Sequence, residues 1–378
     1  MKWSDRVVGQ SGLKEAFTSS VTQNNMSHAV IIEGQAGYGG LPLALALAEL
    51  LLCTDPDPAC GQCKSCKQIQ SLIHPDLHIA FPVVAKEGIV RKNVTAKEFL
   101  PEWRATMLDQ PYTTYNDWIR SIAKTSANGD INVKECNDII QQLNMQAYAG
   151  DTKVQIIWIA DRLGSNGNKL LKLIEEPPIG THIILVVDQL DLLLKTITSR
   201  CRVIRVPPIH PKDITDALVA AHQMRQEQAE QVGHISDGDY RDAYQLSQMD
   251  QSNMMDLCVQ WLQYCKQGDV HTLRQWSTEF SRYNLEEQKA ILLFVLKVLR
   301  SIIYAKIIGP DAVKLSTADK QTLLGNLTLS ALDTYEIERM SDIISNMIYL
   351  IERYVSSRMV ALDTSLRIHR VLHARIPA

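Results

Sequence analysis

The stretch Gly34-Gln35-Ala36-Gly37-Tyr38-Gly39-Gly40-Leu41 constrains this chain most. Its glycines have the spacing of a phosphate-binding loop. A strand-like run from His28 to Ile32 precedes it, and a helical run from Pro42 to Leu52 follows. Strand, glycine loop and buried helix in that order predict the start of a parallel α/β sheet. A working loop ends Gly-Lys-Ser/Thr, with the Lys on the β- and γ-phosphates and the hydroxyl on Mg²⁺. Here those positions hold Gly40 and Leu41. Gly brings no charge, and Leu offers a metal no oxygen. Gly34, Gly37, Gly39 and Gly40 therefore mark a degenerate loop in which ATP is not expected. The plain alternative is a tight strand-to-helix turn with no ligand at all.

Further along, Lys153 to Ala160 reads as a buried central strand ending at Asp161-Arg162. In a P-loop ATPase this strand end carries an Asp for Mg²⁺ and often a Glu that activates water. Asp161 is in place, but Arg162 has the wrong sign for a base. The hydrolytic site is thus deficient at three positions, Gly40, Leu41 and Arg162. Ile183 to Val187 and Val203 to Val206 read as further strands, alternating with helices as a parallel sheet requires. Residues 85–130 are mixed and polar and read as connections and short helices.

The loop helix runs into Cys53, followed by Cys60, Cys63 and Cys66. Four thiols at these spacings can converge on one tetrahedral Zn²⁺, and a closed set of four cysteines leaves no open position for catalysis, so the zinc is expected to be structural. An iron–sulfur run would need another Cys three residues on, then Pro, and Lys67 to Gln70 supplies neither. His74 could replace one thiol, although His74-Pro75-Asp76 reads as a turn. The net charge of −3 gives no overall basic bias towards nucleic acid or anionic membrane. Met1 to Asp5 begins no signal peptide, and no apolar run reaches the roughly 18–20 residues of a membrane span. The expectation is a cytoplasmic protein, in which eight cysteines act as ligands or core residues rather than disulfides.

Several motifs together resemble one family. They are Val8-Gly9-Gln10, His28-Ala29 before the loop, the four-Cys module after the loop helix, Asn168 to Pro178, and Ser199-Arg200-Cys201. Asn168 to Pro178 is similar to the Asn-x-Leu-Leu-Lys-x-Leu-Glu-Glu-Pro-Pro of the delta-prime family of bacterial DNA polymerase III clamp-loader subunits, which are AAA+ proteins. The resemblance covers roughly residues 1–210. Gly40 and Leu41 separate it from the loader's motor subunits, which share the other motifs but should keep Gly-Lys-Ser/Thr.

The resemblance implies an AAA+ P-loop NTPase-like α/β domain over 1–208 with its zinc module at about 53–70, a helical lid over 209–249, and an all-α collar over 250–378. It implies a subunit without ATPase activity of its own, working within the polymerase III holoenzyme. Arg200 would act in trans as an arginine finger on a neighbouring subunit's ATP, with Ser199 supporting the motif and Cys201 packing. The implied partners are the motor ATPase subunits and the delta subunit in a hetero-pentamer, with the sliding clamp and primed DNA met through the complex. A structural ion pair with a nearby carboxylate is the plain alternative for Arg200. Arg162 and Arg202 read as surface or structural charges. Gly238-Asp-Tyr-Arg241-Asp-Ala243 resembles the lid motif whose arginine contacts nucleotide, but with this loop Arg241 is expected in a helix-start salt bridge. In the last third, Leu292 to Ile303, Ile337 to Val355 and Leu362 to Leu372 have helical spacing. Trp261, Trp276, Tyr283, Tyr304 and Tyr349 read as core residues there. Two rival functions remain: an active motor-type AAA+ ATPase with an unusual loop, and a zinc-dependent nucleic-acid-binding module, for which Lys64 and Lys67 are few basic residues.

Overall fold

Five parallel strands, β1 (Ala29–Glu33), β2 (Leu77–Ala80), β3 (Lys153–Trp158), β4 (Thr181–Val187) and β5 (Arg202–Arg205), form one sheet in the order β2-β3-β4-β1-β5. The sheet agrees with the expected AAA+-like α/β fold, and the glycine loop leaves the C-terminal end of β1. The computed structural model describes residues 1–123, 128–222, 224–248, 254–309, 332–353 and 355–373. The expected boundary at 249–250 lies outside the described residues. The chain divides into two compact units, Met1–Asp213 with Gly238–Arg241, and Ile214–Asp237 with Asp242–Ala378.

The first unit follows from the two-residue period of its strands. Val30 and Ile32 of β1 join one core with Ile156, Ile184, Val186 and the loop helix Gly40–Leu52. Ala29 and Ile31 join the other, with Ile157, Ile183, Leu185 and the helices Val133–Asn144 and Leu171–Glu175. Successive side chains point to opposite faces, so a strand covered on both sides must be apolar throughout. Strand β3 stops at Trp158, short of the expected Ala160, because Ile159 takes φ +55° and turns the chain towards Asp161. Strand β2 carries only four residues at the sheet edge, too short a signal to stand out in the sequence.

Within 85–130 lie the helices Leu100–Asp109 and Tyr115–Ile122. They bring Trp103 and Trp118, both fully buried, onto Phe81. Trp103 stacks on it at 5.3 Å and Trp118 meets it edge-on at 5.2 Å, arrangements that aromatic quadrupoles favour.

The described part of the second unit is helical, and includes Gln226–Ile235, Met254–Gln267, Val270–Phe280, Leu285–Ile307, Thr334–Glu352 and Ser357–His373. Asn284 with Glu287, and Asp333 with Glu336, form reciprocal capping boxes that fix two of the starts. Trp261 and Trp276 are buried and stacked at 4.6 Å, and Trp261 Nε1 donates to Ser365 Oγ at 3.0 Å. The expectation for the tyrosines fails. Tyr283, Tyr304 and Tyr349 are exposed by 36%, 42% and 47%. A phenol can leave its hydroxyl in water at little cost, and the Arg353 guanidinium covers the Tyr349 ring at 4.2 Å. Among the described residues no helix is long and apolar enough to cross a membrane.

Candidate functional site

Cys53 follows the loop helix directly, Cys63 caps the start of the helix Lys64–Gln70, and Cys66 lies in that helix's first turn. The four sulfurs of Cys53, Cys60, Cys63 and Cys66 lie within 4.8 Å of one another. Cys53 Sγ is 3.8 Å from Cys60 Sγ and 3.9 Å from Cys63 Sγ. Four thiolates at about 2.3 Å from Zn²⁺ sit about 3.8 Å apart on a tetrahedron, so the cage has the right size. Backbone N–H groups of Gln62 and Cys63 donate to Cys60 Sγ at 3.5 and 3.3 Å, and that of Cys66 to Cys63 Sγ at 3.3 Å. Burial pushes the Cys53 and Cys66 thiols up. At Cys63 burial acts the same way, but donors from Cys66 and Thr54 outweigh it and bring the thiol down to about 6. An all-sulfur donor set with no carboxylate fits a closed structural zinc. His74 is engaged elsewhere, with Nε2 on Ser65 Oγ at 2.9 Å and Nδ1 accepting from Asp76 N at 3.1 Å.

The loop itself is covered by its own chain. Gly39 has φ +96°, a conformation that glycine adopts freely. A Cβ there would meet the Tyr112 ring at 3.2 Å, and one at Gly37 would overlap the Asp239 carboxylate. Gly40 packs towards Val186 and Ile32, and Leu41 is buried. Tyr112 is held by Val8 N–H, which donates to its hydroxyl at 2.7 Å, and by the Tyr240 ring at 4.8 Å. Burial pushes its hydroxyl well above the usual phenol range. Gln10 Nε2 bridges Tyr38 O at 3.3 Å and Pro207 O at 2.7 Å, which ties the loop to the end of β5.

Three carboxylates gather at this C-terminal edge of the sheet. Asp161 follows β3, Asp188 follows β4, and Asp239 covers the loop. Burial and then Asp161 push the Asp188 carboxyl up to about 7, with Arg162 opposing and Asp239 reinforcing. Asp161 Oδ1 is buried without a hydrogen-bond partner among the described residues. Arg162 lies over the Tyr115 ring at 4.2 Å.

Arg200 stands at the other edge. It precedes β5, whose Arg202 is in register with Val30 and whose Arg205 is in register with Glu33, the last residue of β1. Gly34 therefore begins at least ~13 Å up the strand direction, at about 3.3 Å per residue. Arg200 Nε pairs with Glu175 Oε1, and Nη1 donates to Thr196 O at 2.8 Å and to Ser199 Oγ at 3.2 Å. With His28, Ile174, Glu175 and Ser199 it lines an open hollow of about 440 Å³.

A sequence profile described as "DNA polymerase III, delta subunit" matches residues 9–210, more than half of the chain. The DNA polymerase III subunit delta' of Bacillus subtilis (strain 168) is 28% identical over 58% of this chain and 54% of its own length. That of Haemophilus influenzae (strain ATCC 51907 / DSM 11121 / KW20 / Rd) is 30% identical over 47% and 41%. The chain belongs to the DNA polymerase III delta-prime family. It spans about half the length of the curated relatives it matches. A gamma subunit-related protein of DNA polymerase III from Thermotoga maritima, of known structure, superposes over 95% of this chain and 98% of its own with a TM-score of 0.40 at 14% identity.

In this delta-prime chain the motifs that resemble the family have visible work. Val8-Gly9-Gln10 holds Tyr112 and Pro207, and Asn168 to Pro178 delivers Glu175 to Arg200. Arg241 sits at the start of the helix Tyr240–Ser247, with Nε 2.9 Å from Asp117 Oδ2. Sequence reasoning missed Tyr112, Asp188, Asp239 and Glu175 as site residues. Asp188 could have been found, since it ends a recognised strand beside Asp161. Tyr112 comes from a polar stretch whose helices had no clear period.

Proposed function

We propose that this delta-prime chain is a non-hydrolysing subunit of a clamp loader. It contributes Arg200 in trans to a neighbouring motor subunit's ATP, and the collar helps hold it to the motor and delta subunits. Through that assembly it takes part in placing the sliding clamp on primed DNA. The observation that carries the reading is the position of Arg200. It lies at the N-terminal edge of the sheet, opposite its own loop, which supports a role towards another molecule's phosphate rather than its own. Guanidinium at a γ-phosphate neutralises charge that grows in the transition state.

Several features support the absence of turnover in the chain itself. Gly40 and Leu41 supply neither cation nor metal ligand. Asp188 and Asp239 add acidic groups where phosphates would need positive charge, and Tyr112 and Asp239 occupy the space beside Gly39 and Gly37. The zinc would be structural, joining the end of the loop helix to the helix Lys64–Gln70.

The test is ATP hydrolysis by the motor subunits with clamp and primed DNA, comparing wild type with Arg200→Ala and running this chain alone as control. The expected result is no turnover by the chain alone, and for Arg200→Ala a loss of roughly 10³-fold at the site it serves, with the complex intact. Turnover by the isolated chain would sink the dead-site reading. An unchanged rate with Arg200→Ala would leave Arg200 a structural ion pair.

A further inference from the structure

We infer that Glu175 is a positioning residue that orients the Arg200 guanidinium for the neighbouring subunit's phosphate. The inference rests on the trans-arginine reading above. Arg200 engages Glu175 through Nε, and Thr196 O and Ser199 Oγ through Nη1. Among the described residues Nη2 has no hydrogen-bond partner. Acceptors on both Nε and Nη1, at two corners of a planar fork, fix its plane and leave Nη2 for an incoming ligand. The side chains remain open to an incoming ligand, with 37% of Arg200 and 44% of Glu175 exposed.

The carboxylate is itself held in place by the backbone. Glu175 is the last residue of the helix Leu171–Glu175, and Pro177 and Pro178 stop the helix just beyond it. His28 Nε2 lies 3.0 Å from Ile174 O, and His28 O accepts from Ile183 N at 2.7 Å. The position that presents Glu175 is thereby tied to the starts of both β1 and β4. A long, freely rotating arginine loses considerable entropy when it engages a phosphate. One already fixed in plane loses less, and misplacement of a charged group by about 1 Å costs as much as ~100-fold in rate. The geometry points to Glu175 as the group that makes Arg200 a preset donor.

Length and charge at position 175 then have separable effects. Glu175→Gln keeps an oxygen at the same reach, so Nε is still held. Glu175→Asp keeps the charge but is one methylene short. The assay is ATP turnover by the full assembly with clamp and primed DNA, with kcat and KM measured separately. Melting temperature and co-elution with the motor subunits serve as controls. Glu175→Ala and Glu175→Asp are expected to lower kcat about three- to ten-fold with KM unchanged. Glu175→Gln should stay within about twofold, and Glu175→Ala should add nothing in an Arg200→Ala background. A simple requirement for negative charge would reverse the order of Gln and Asp, which would overturn the inference. Unchanged or faster turnover with Glu175→Ala, while Arg200→Ala is slow, would also overturn it and leave the trans arginine standing. If Arg200→Ala itself is as fast as wild type, the underlying reading fails first. Should Glu175→Ala disturb assembly, the Gln and Asp variants decide.

Discussion

Replacing Arg241 by Met should destabilise the first unit by about 3 kcal/mol at neutral pH. The pair it forms with Asp117 is largely out of water, with side chains 9% and 21% exposed and Nε 2.9 Å from Oδ2. Removing one partner of a buried ion pair strands the other, which costs about 3–5 kcal/mol. The lower end applies here because Asp117 Oδ2 also accepts from Thr114 N at 3.1 Å and Thr114 Oγ1 at 2.7 Å. Burial alone would raise the Asp117 carboxyl, but Arg241 and Thr114 outweigh it and hold it below the usual carboxylate range. A depressed carboxyl contributes stability above its unfolded value near 3.9, and loses it as pH falls through the folded value. The cost of Arg241→Met should therefore shrink in acid. Urea titrations followed by tryptophan fluorescence suit the measurement, because Trp118 adjoins Asp117 and is fully buried. A double-mutant cycle with Asp117→Asn should give a coupling of at least about 1.5 kcal/mol. A cost below about 1 kcal/mol, or a coupling near zero, would refute the ion pair as the reason for Arg241.

Two further outcomes follow from the same geometry. Purified protein should carry one zinc per chain by elemental analysis; Cys66→Ser should abolish it and cost roughly 3 kcal/mol, lowering the melting midpoint by ~6–12 °C. Asp188, whose carboxyl is raised to about 7, stabilises the fold while protonated and loses that contribution as pH climbs from about 4 to 7. Asp188→Asn should accordingly raise stability by roughly 2–4 kcal/mol at pH 8 and change little at pH 4, measured by denaturation at both values.

The central strands were legible because two-sided burial leaves an unbroken apolar run, as in Ile183 to Val187. The cysteine cage was legible because metal ligands on one short loop obey spacing rules. Edge strand β2, four residues containing His78, carries no such pattern. The residues on the loop were hidden for a different reason. Tyr112 and Asp239 are distant in sequence from Gly37 and Gly39, and only the fold brings them there. The tyrosines of the second unit misled because periodicity marks a helix face without saying how deeply it lies. Arg200 was legible as a motif, while its Glu175 partner required the fold to bring two motifs to one edge.

The segment Gly238–Arg241 also bears on how this protein can be divided. A fragment ending at Asp213, the obvious cut between the two units, would omit it. Gly37 would lose the carboxylate beside it, and Asp117 its cation, although every strand of the sheet would be present. The folding unit and the contiguous stretch of polypeptide are different objects here. A recombinant ATPase-like domain needs those four residues returned, by a linker joining Asp213 to Gly238, before its stability or ligand binding speaks for the whole chain.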